Sequence, residues 1–185
     1  MVTSQAIDSW RISAESHMKE QRWEKCIEAC RHLLELDPRH HFAQETLATA
    51  LLQVGQVDEA VIAVARLLEI SPRDPLHRLR LATLLQMQGR NGEALHQFER
   101  ILVMYPDAPF ADDARTAVEN LDRIQTQQIL LMAAEQDDFR WMLERDPANA
   151  LASNQFRLSE NGYESLRQMI PGADEDTTDP PDVLH

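Results

Sequence analysis

Three prolines set the frame of this chain. Pro38, Pro72 and Pro106 stand 34 residues apart, preceded by Asp37, Ser71 and Tyr105. Counting back from them gives gapless windows 7–40, 41–74 and 75–108. Ala14, Ala48 and Ala82 share the eighth position, and Cys26, Ala60 and Ala94 the twentieth. The pairs Leu33-Leu34, Leu67-Leu68 and Ile101-Leu102 share positions 27 and 28, and Gln21, Gly55 and Gly89 share position 15. Such a period constrains the fold before any single residue does. Each copy is one supersecondary unit that buries its apolar face only against its neighbours.

Each window reads as two amphipathic helices of about 12–14 residues, split by a polar turn at position 15. Small residues at positions 8 and 20 let the helices approach, and large ones at 7, 11, 24 and 28 fill the space around them. The closing proline stops the second helix, because the residue before it avoids the helical region. This pattern resembles the tetratricopeptide repeat (TPR) family. Trp10 stands at the family's tryptophan position, where the later windows carry Gln44 and Arg78. The resemblance implies an all-α, TPR-like solenoid of antiparallel helix pairs.

A fourth window begins in phase with Phe110, Ala111, Ala114, Val118 and Leu121, but Arg140 stands where the closing proline belongs. The apolar pattern runs on through Ile129, Leu131, Phe139, Trp141 and Leu143. A degenerate, capping helix pair is expected over 109–145. The chain divides into a solenoid at 1–145, a short helical coda at 146–170 and an acidic tail at 171–185. In the coda Ser159 reads as an N-cap, Leu158 and Tyr163 as a hydrophobic staple, and Tyr163, Leu166 and Ile170 as one apolar stripe. The tail holds five acids, no bases and three prolines, and is expected to be disordered.

Net charge is −13, placed as −3 over residues 1–108 and −10 over 109–185. That acidity disfavours nucleic acid and anionic membrane surfaces. No stretch approaches the ~20 apolar residues of a membrane span, and the N-terminus lacks the features of a signal peptide. A cytoplasmic protein is expected. Phosphate-binding Gly loops and hydrolase or metalloprotease motifs are missing from the sequence, so neither an enzyme nor a cofactor is expected.

Cys26, Cys30 and His17 could converge on a zinc or copper ion, but position 20 demands a small residue and only three ligands are visible. Core packing is the preferred reading, with no metal. Adjacent His40 and His41 cannot share a helix face and suggest no site. Trp10 and Trp23 stand at packing positions and belong in the core. Trp141 is also expected there, with an interface role as the alternative.

The resemblance further implies a concave groove lined by positions 2, 5, 6, 9, 12 and 13 of each first helix. The lining expected to hold a partner is Arg11, Phe42, Thr49, Leu52, Leu76, Leu79, Arg80, Thr83 and Met87. Co-chaperone members grip a C-terminal carboxylate at positions that here read Arg11, Glu15, Thr46, Leu76 and Arg80, which is not their set. The expected function is a non-catalytic scaffold or adaptor that binds a protein or peptide partner. The alternative is a permanent subunit or assembly factor using the C-terminal helices.

Overall fold

The windows become helical hairpins in the computed structural model, which describes residues 2–170. The acidic tail lies outside the described residues. Helices α1 (Val2–Lys19) and α2 (Trp23–Leu36) form the first hairpin, α3 (His41–Gln53) and α4 (Val57–Ile70) the second, and α5 (Pro75–Met87) and α6 (Asn91–Met104) the third. The turn within each hairpin uses a residue in the left-handed region: Gln21 at φ 56°, Gly55 at 76° and Gly89 at 72°. Glycine adopts that conformation without a Cβ penalty, and glutamine does not. Asp37, Ser71 and Tyr105 cap the second helices at φ −140°, −129° and −140°, each forced off the helix by the proline that follows.

Packing follows the periodic positions. Ala14, Ala48, Ala82, Cys26, Ala60 and Ala94 are all fully buried at the helix crossings. Leu47, Leu51, Val64, Leu81, Leu85 and Phe98 fill the core around them. Trp10 and Trp23 are not enclosed; both are half-buried at the edge of this core, and Trp10 stacks on His32 at 4.5 Å. At the tryptophan position of the later windows, Gln44 and Arg78 are buried. Their side chains donate to the carbonyls of Pro38 (3.5 Å) and Pro72 (3.3 Å), and Arg78 also donates to Gln97 Oε1 at 2.8 Å. These polar groups do by hydrogen bonding at the inter-hairpin junction what an indole does by contact.

The fourth unit departs from the expected helix pair. Instead of turning at position 15, helix α7 runs unbroken from Ala111 to Glu135, and a short α8 (Asp137–Arg145) follows. Position 15 here is Arg123, embedded in helix-forming residues without glycine or proline, so nothing ends the helix there. Helices α9 (Pro147–Ser153) and α10 (Glu160–Met169) complete the described chain.

A second core gathers Ile129, Ala133, Phe139, Leu143, Ala150, Leu151, Leu166 and Ile170, with Leu158 and Tyr163 packed against it. The first core ends at Leu121. The two packing clusters therefore meet within α7, and residues on both sides of position 145 share one core. Ser159 caps α10 by accepting from the Gly162 amide at 3.1 Å. Two buried residues of α7 hold the coda in place. Asp122 accepts from both the amide and the hydroxyl of Ser159, and Gln125 pairs with the Arg157 backbone at 2.6 and 3.1 Å.

Candidate interaction surface

The expected lining residues sit on α1, α3 and α5, the first helices of the hairpins. The structure separates them into two classes. Phe42, Leu52 and Leu79 are half-buried against the first core and serve mainly to close it. The hydroxyls of Thr49 and Thr83 donate to the carbonyls one turn back, Glu45 and Leu79, each at 3.0 Å. Open apolar surface remains on this face: Leu76 is 61% and Met87 67% exposed, and Ile12, at position 6 of the first window, is 58% exposed. Three large apolar side chains on solvent-facing first-helix positions are the part of this face with surface still to bury.

The two arginines also differ. Arg11 is held by Glu15 one turn along the same helix, at 2.5 Å, so its charge is answered locally. Arg80 makes no hydrogen bond or ion pair within the described residues, and its Nη1 is enclosed without a partner. An unanswered guanidinium in an acidic protein is a strong electrostatic feature of this face. The co-chaperone carboxylate grip is not assembled: Glu15 occupies Arg11, Thr46 is buried, and Leu76 is apolar.

Cavities lie elsewhere. A cleft of about 640 Å³ separates the start of α6 from the segment before α10, lined by Arg90, His96, Gln125, Phe156 and Arg157 among others. Burial, then the charge of Arg157, pushes the His96 imidazole below its ordinary pKa. A second cleft, of about 440 Å³, runs between α7 and α10 past Leu130 and Met169.

Cys26 and Cys30 are free thiols, fully buried. The Cys26 Sγ donates to the Ala14 carbonyl at 3.5 Å. Burial pushes both thiols up from the ordinary range, Cys30 most strongly. His17 Nδ1 is enclosed without a partner. Among the described residues no group of three His, Cys, Asp or Glu side chains is placed to hold a metal ion, this trio included. No helix among them is long and apolar enough to cross a membrane.

Trp141 overturns its core expectation: it is 61% exposed, with the Arg145 guanidinium 4.8 Å above its ring. Phe139 and Leu143 form the inward stripe of α8 at i and i+4. A residue midway between them points to the opposite side of the helix. Leu131, also expected in the apolar pattern, is 60% exposed. One contact had no sequence expectation behind it. His41, the first residue of α3, meets His77 of α5 with their Nε2 atoms 3.1 Å apart.

Among curated proteins none matches this chain in sequence. Solved structures match it in shape. The TPR domain of Arabidopsis OM64 covers 65% of this chain and 98% of its own, with a TM-score of 0.53 and 19% identity. The Yersinia enterocolitica type III secretion chaperone SycD, in complex with a peptide of the translocator YopD, covers 67% and 95% at TM-score 0.54 and 16% identity. The MamA protein covers 98% and 99% at TM-score 0.53 and 11% identity. At these identities the likeness is one of fold, a TPR-like helical solenoid. Residues 2–105, all three hairpins, match one family at the level of sequence: the chain belongs to the bacterial transcriptional activator domain family.

Proposed function

We propose that this chain is a non-catalytic protein-interaction module whose first-helix face receives an extended or helical segment of a partner protein. One observation carries the reading: Ile12, Leu76 and Met87 stand exposed at first-helix positions, the last two on the same helix as the unpaired Arg80. An apolar floor with a single unanswered cation suits a partner segment offering an apolar anchor and a carboxylate. SycD in complex with a YopD peptide shows that a fold of this kind can hold a segment of another protein. A net charge of −13 weighs against a phosphate backbone as the partner and so supports a segment of protein.

The test is site-specific photocrosslinking from Met87 in extract of the source organism, with Val103 of α6, 81% exposed, as control. Crosslinks from Met87 that vanish in Leu76→Asp/Arg80→Glu support the reading. Equal crosslinking from both positions, or persistence in the double variant, overturns it. Leu76 is a better target than half-buried Leu79, whose replacement by a charge would also disturb the core.

Exposed Trp141 favours a second reading, a permanent subunit that docks through α8. Trp141→Ser should then release a co-purifying partner while leaving helicity unchanged. Retention of that partner would remove this reading. Deleting residues 146–185 cannot test it, because Ala150, Leu151, Leu166 and Ile170 belong to the second core.

A further inference from the structure

The hairpins can be compared at one equivalent place. In the first, Trp10 stands at position 4 and stacks on His32, at position 26, with ring centroids 4.5 Å apart. The second hairpin carries Gln44 and Arg66 at those positions. Hydrogen bonding replaces the hold of the indole there, but not its bulk. A cleft of about 430 Å³ is lined by Leu34 and Arg39 on the side of the first hairpin and by Gln44, Arg66, Glu69 and Ile70 of the second. A neighbouring cleft of about 470 Å³ shares Leu34, Gln44 and Arg66 with it. Two polar groups of this cleft are unanswered. Gln44 is 1% exposed, and its Oε1 is enclosed without a partner. Its amide nitrogen donates to the Pro38 carbonyl at 3.5 Å, the outer limit of a hydrogen bond, so the amide is loosely held and a small rotation turns Oε1 toward the cleft. Arg66 is exposed and makes no hydrogen bond or ion pair within the described residues, Glu69 included.

We infer that this cleft receives the indole of a tryptophan side chain from a partner protein. Shape, hydrogen bonding and charge each select that group. Trp10 shows that an indole at position 4 packs against the residue at position 26 in this fold. The indole N–H is a donor only, the complement of an enclosed oxygen whose lack of a partner costs free energy. The Arg66 guanidinium is free to lie over the ring face, and tryptophan is the aromatic such a cation prefers. The chain already makes this pairing where Arg145 lies 4.8 Å above Trp141. Other ligands meet only part of the lining. Phenylalanine and leucine bring no donor, and a phosphate or carboxylate would set its oxygens against Gln44 Oε1 and Glu69. The volume falls within the range of about 300–1,000 Å³ that encloses small ligands. Position 4 is not among the lining positions of the first-helix face, so this site and that face stand or fall separately.

The competing account is that water answers Gln44 and the cleft holds nothing else. Nuclear magnetic resonance titration of the full chain with N-acetyl-tryptophanamide separates the two. Saturable shifts are expected at the Gln44 side-chain amide and the Arg66 Nε, and not with N-acetyl-leucinamide. Methylating the indole nitrogen of the probe removes its donor and should weaken binding about two- to tenfold. Arg66→Ala removes the cation and should weaken it about two- to fivefold. Gln44→Trp installs the residue that the first hairpin already carries at this position, so the chain fills its own cleft and the Arg66 shifts should vanish. Thermal melting checks that this variant is folded, and Arg66→Ala, a change at an exposed side chain, tests the site independently of it. No saturable shift at Gln44 and Arg66 overturns the proposal. So do equal shifts with N-acetyl-leucinamide, equal affinity for the methylated probe, or undiminished Arg66 shifts in a folded Gln44→Trp. Shifts of the same groups on concentrating the protein alone, lost in Trp141→Phe, would make a second copy the occupant and overturn the assignment to a partner protein.

Discussion

At the scale of the residue, the repeat lets one position serve as a control for another. Gln21, Gly55 and Gly89 occupy the same turn at φ 56°, 76° and 72°. A Cβ on Gly89 would meet nothing within 4 Å, so Gly89→Ala carries a backbone cost of about 1–2 kcal/mol, offset by about 0.4–1 kcal/mol of freedom removed from the unfolded chain. Gln21→Gly removes the same strain but gains freedom in the unfolded chain worth about 0.4–1 kcal/mol. The expected net is a gain of about 0.5–1 kcal/mol, read as a higher urea midpoint; a lower midpoint would refute it. The thiols allow a parallel comparison. Burial raises both, so the folded chain keeps protons that unfolded thiols release near pH 9. Their contribution to stability is complete below that range and is lost as pH rises through it, by at most about 1.4 kcal/mol per pH unit per thiol. Cys26→Ala/Cys30→Val installs what the second window already carries as Ala60 and Val64. That variant should lose less stability than the wild type between pH 7.5 and 10. Equal losses would show that the thiols are not the linked groups.

At the scale of the element, the three hairpins were legible because a gapless period writes each helix, turn and stop three times over. Helix α7 was not, since the expected pair relied on the phase of the earlier windows and nothing at Arg123 enforces a break. Trp141 could have been placed from its own neighbours, because the Phe139–Leu143 stripe already excludes it from the inward face of α8. On the candidate surface, position alone could not separate Leu79, which closes the core, from Leu76, which remains open; neighbouring helices decide that. The meeting of His41 and His77 spans 36 residues and two windows and has no local signal. The uninterrupted α7 carries its own consequence. Its first half is covered by α6 and its second half by the helices after it. Deleting residues 137–185 should uncover Ile129 and Ala133 and let α7 fray back toward Gln125. Hydrogen exchange should then show amides 126–135 unprotected while 114–121 stay protected. Protection through residue 135 would mean that α7 stands on its own propensity.

At the scale of the whole molecule, two cores share one helix, and the question is whether they unfold as one. Gly162 decides how tightly they are tied. A Cβ there would fall 2.4 Å from Asp122 Cγ, and that carboxylate is buried and committed to Ser159. Helix propensity favours alanine over glycine by about 1 kcal/mol, but a carboxylate with no room to move makes the clash larger, about 1–3 kcal/mol. Gly162→Ala should therefore loosen α10 from α7 and destabilise the second core selectively. Trp10 and Trp23 lie at the edge of the first core, so Trp141→Phe leaves two indoles that report on the hairpins alone. In that background, wild-type Gly162 should give coincident urea transitions by tryptophan fluorescence and far-ultraviolet circular dichroism. With Gly162→Ala, the dichroism should begin to fall at lower urea than the fluorescence, because α8–α10 melt first while the hairpins hold. Coincident transitions in the alanine variant would show that α7 transmits the loss to both cores and that the chain folds as a single cooperative unit.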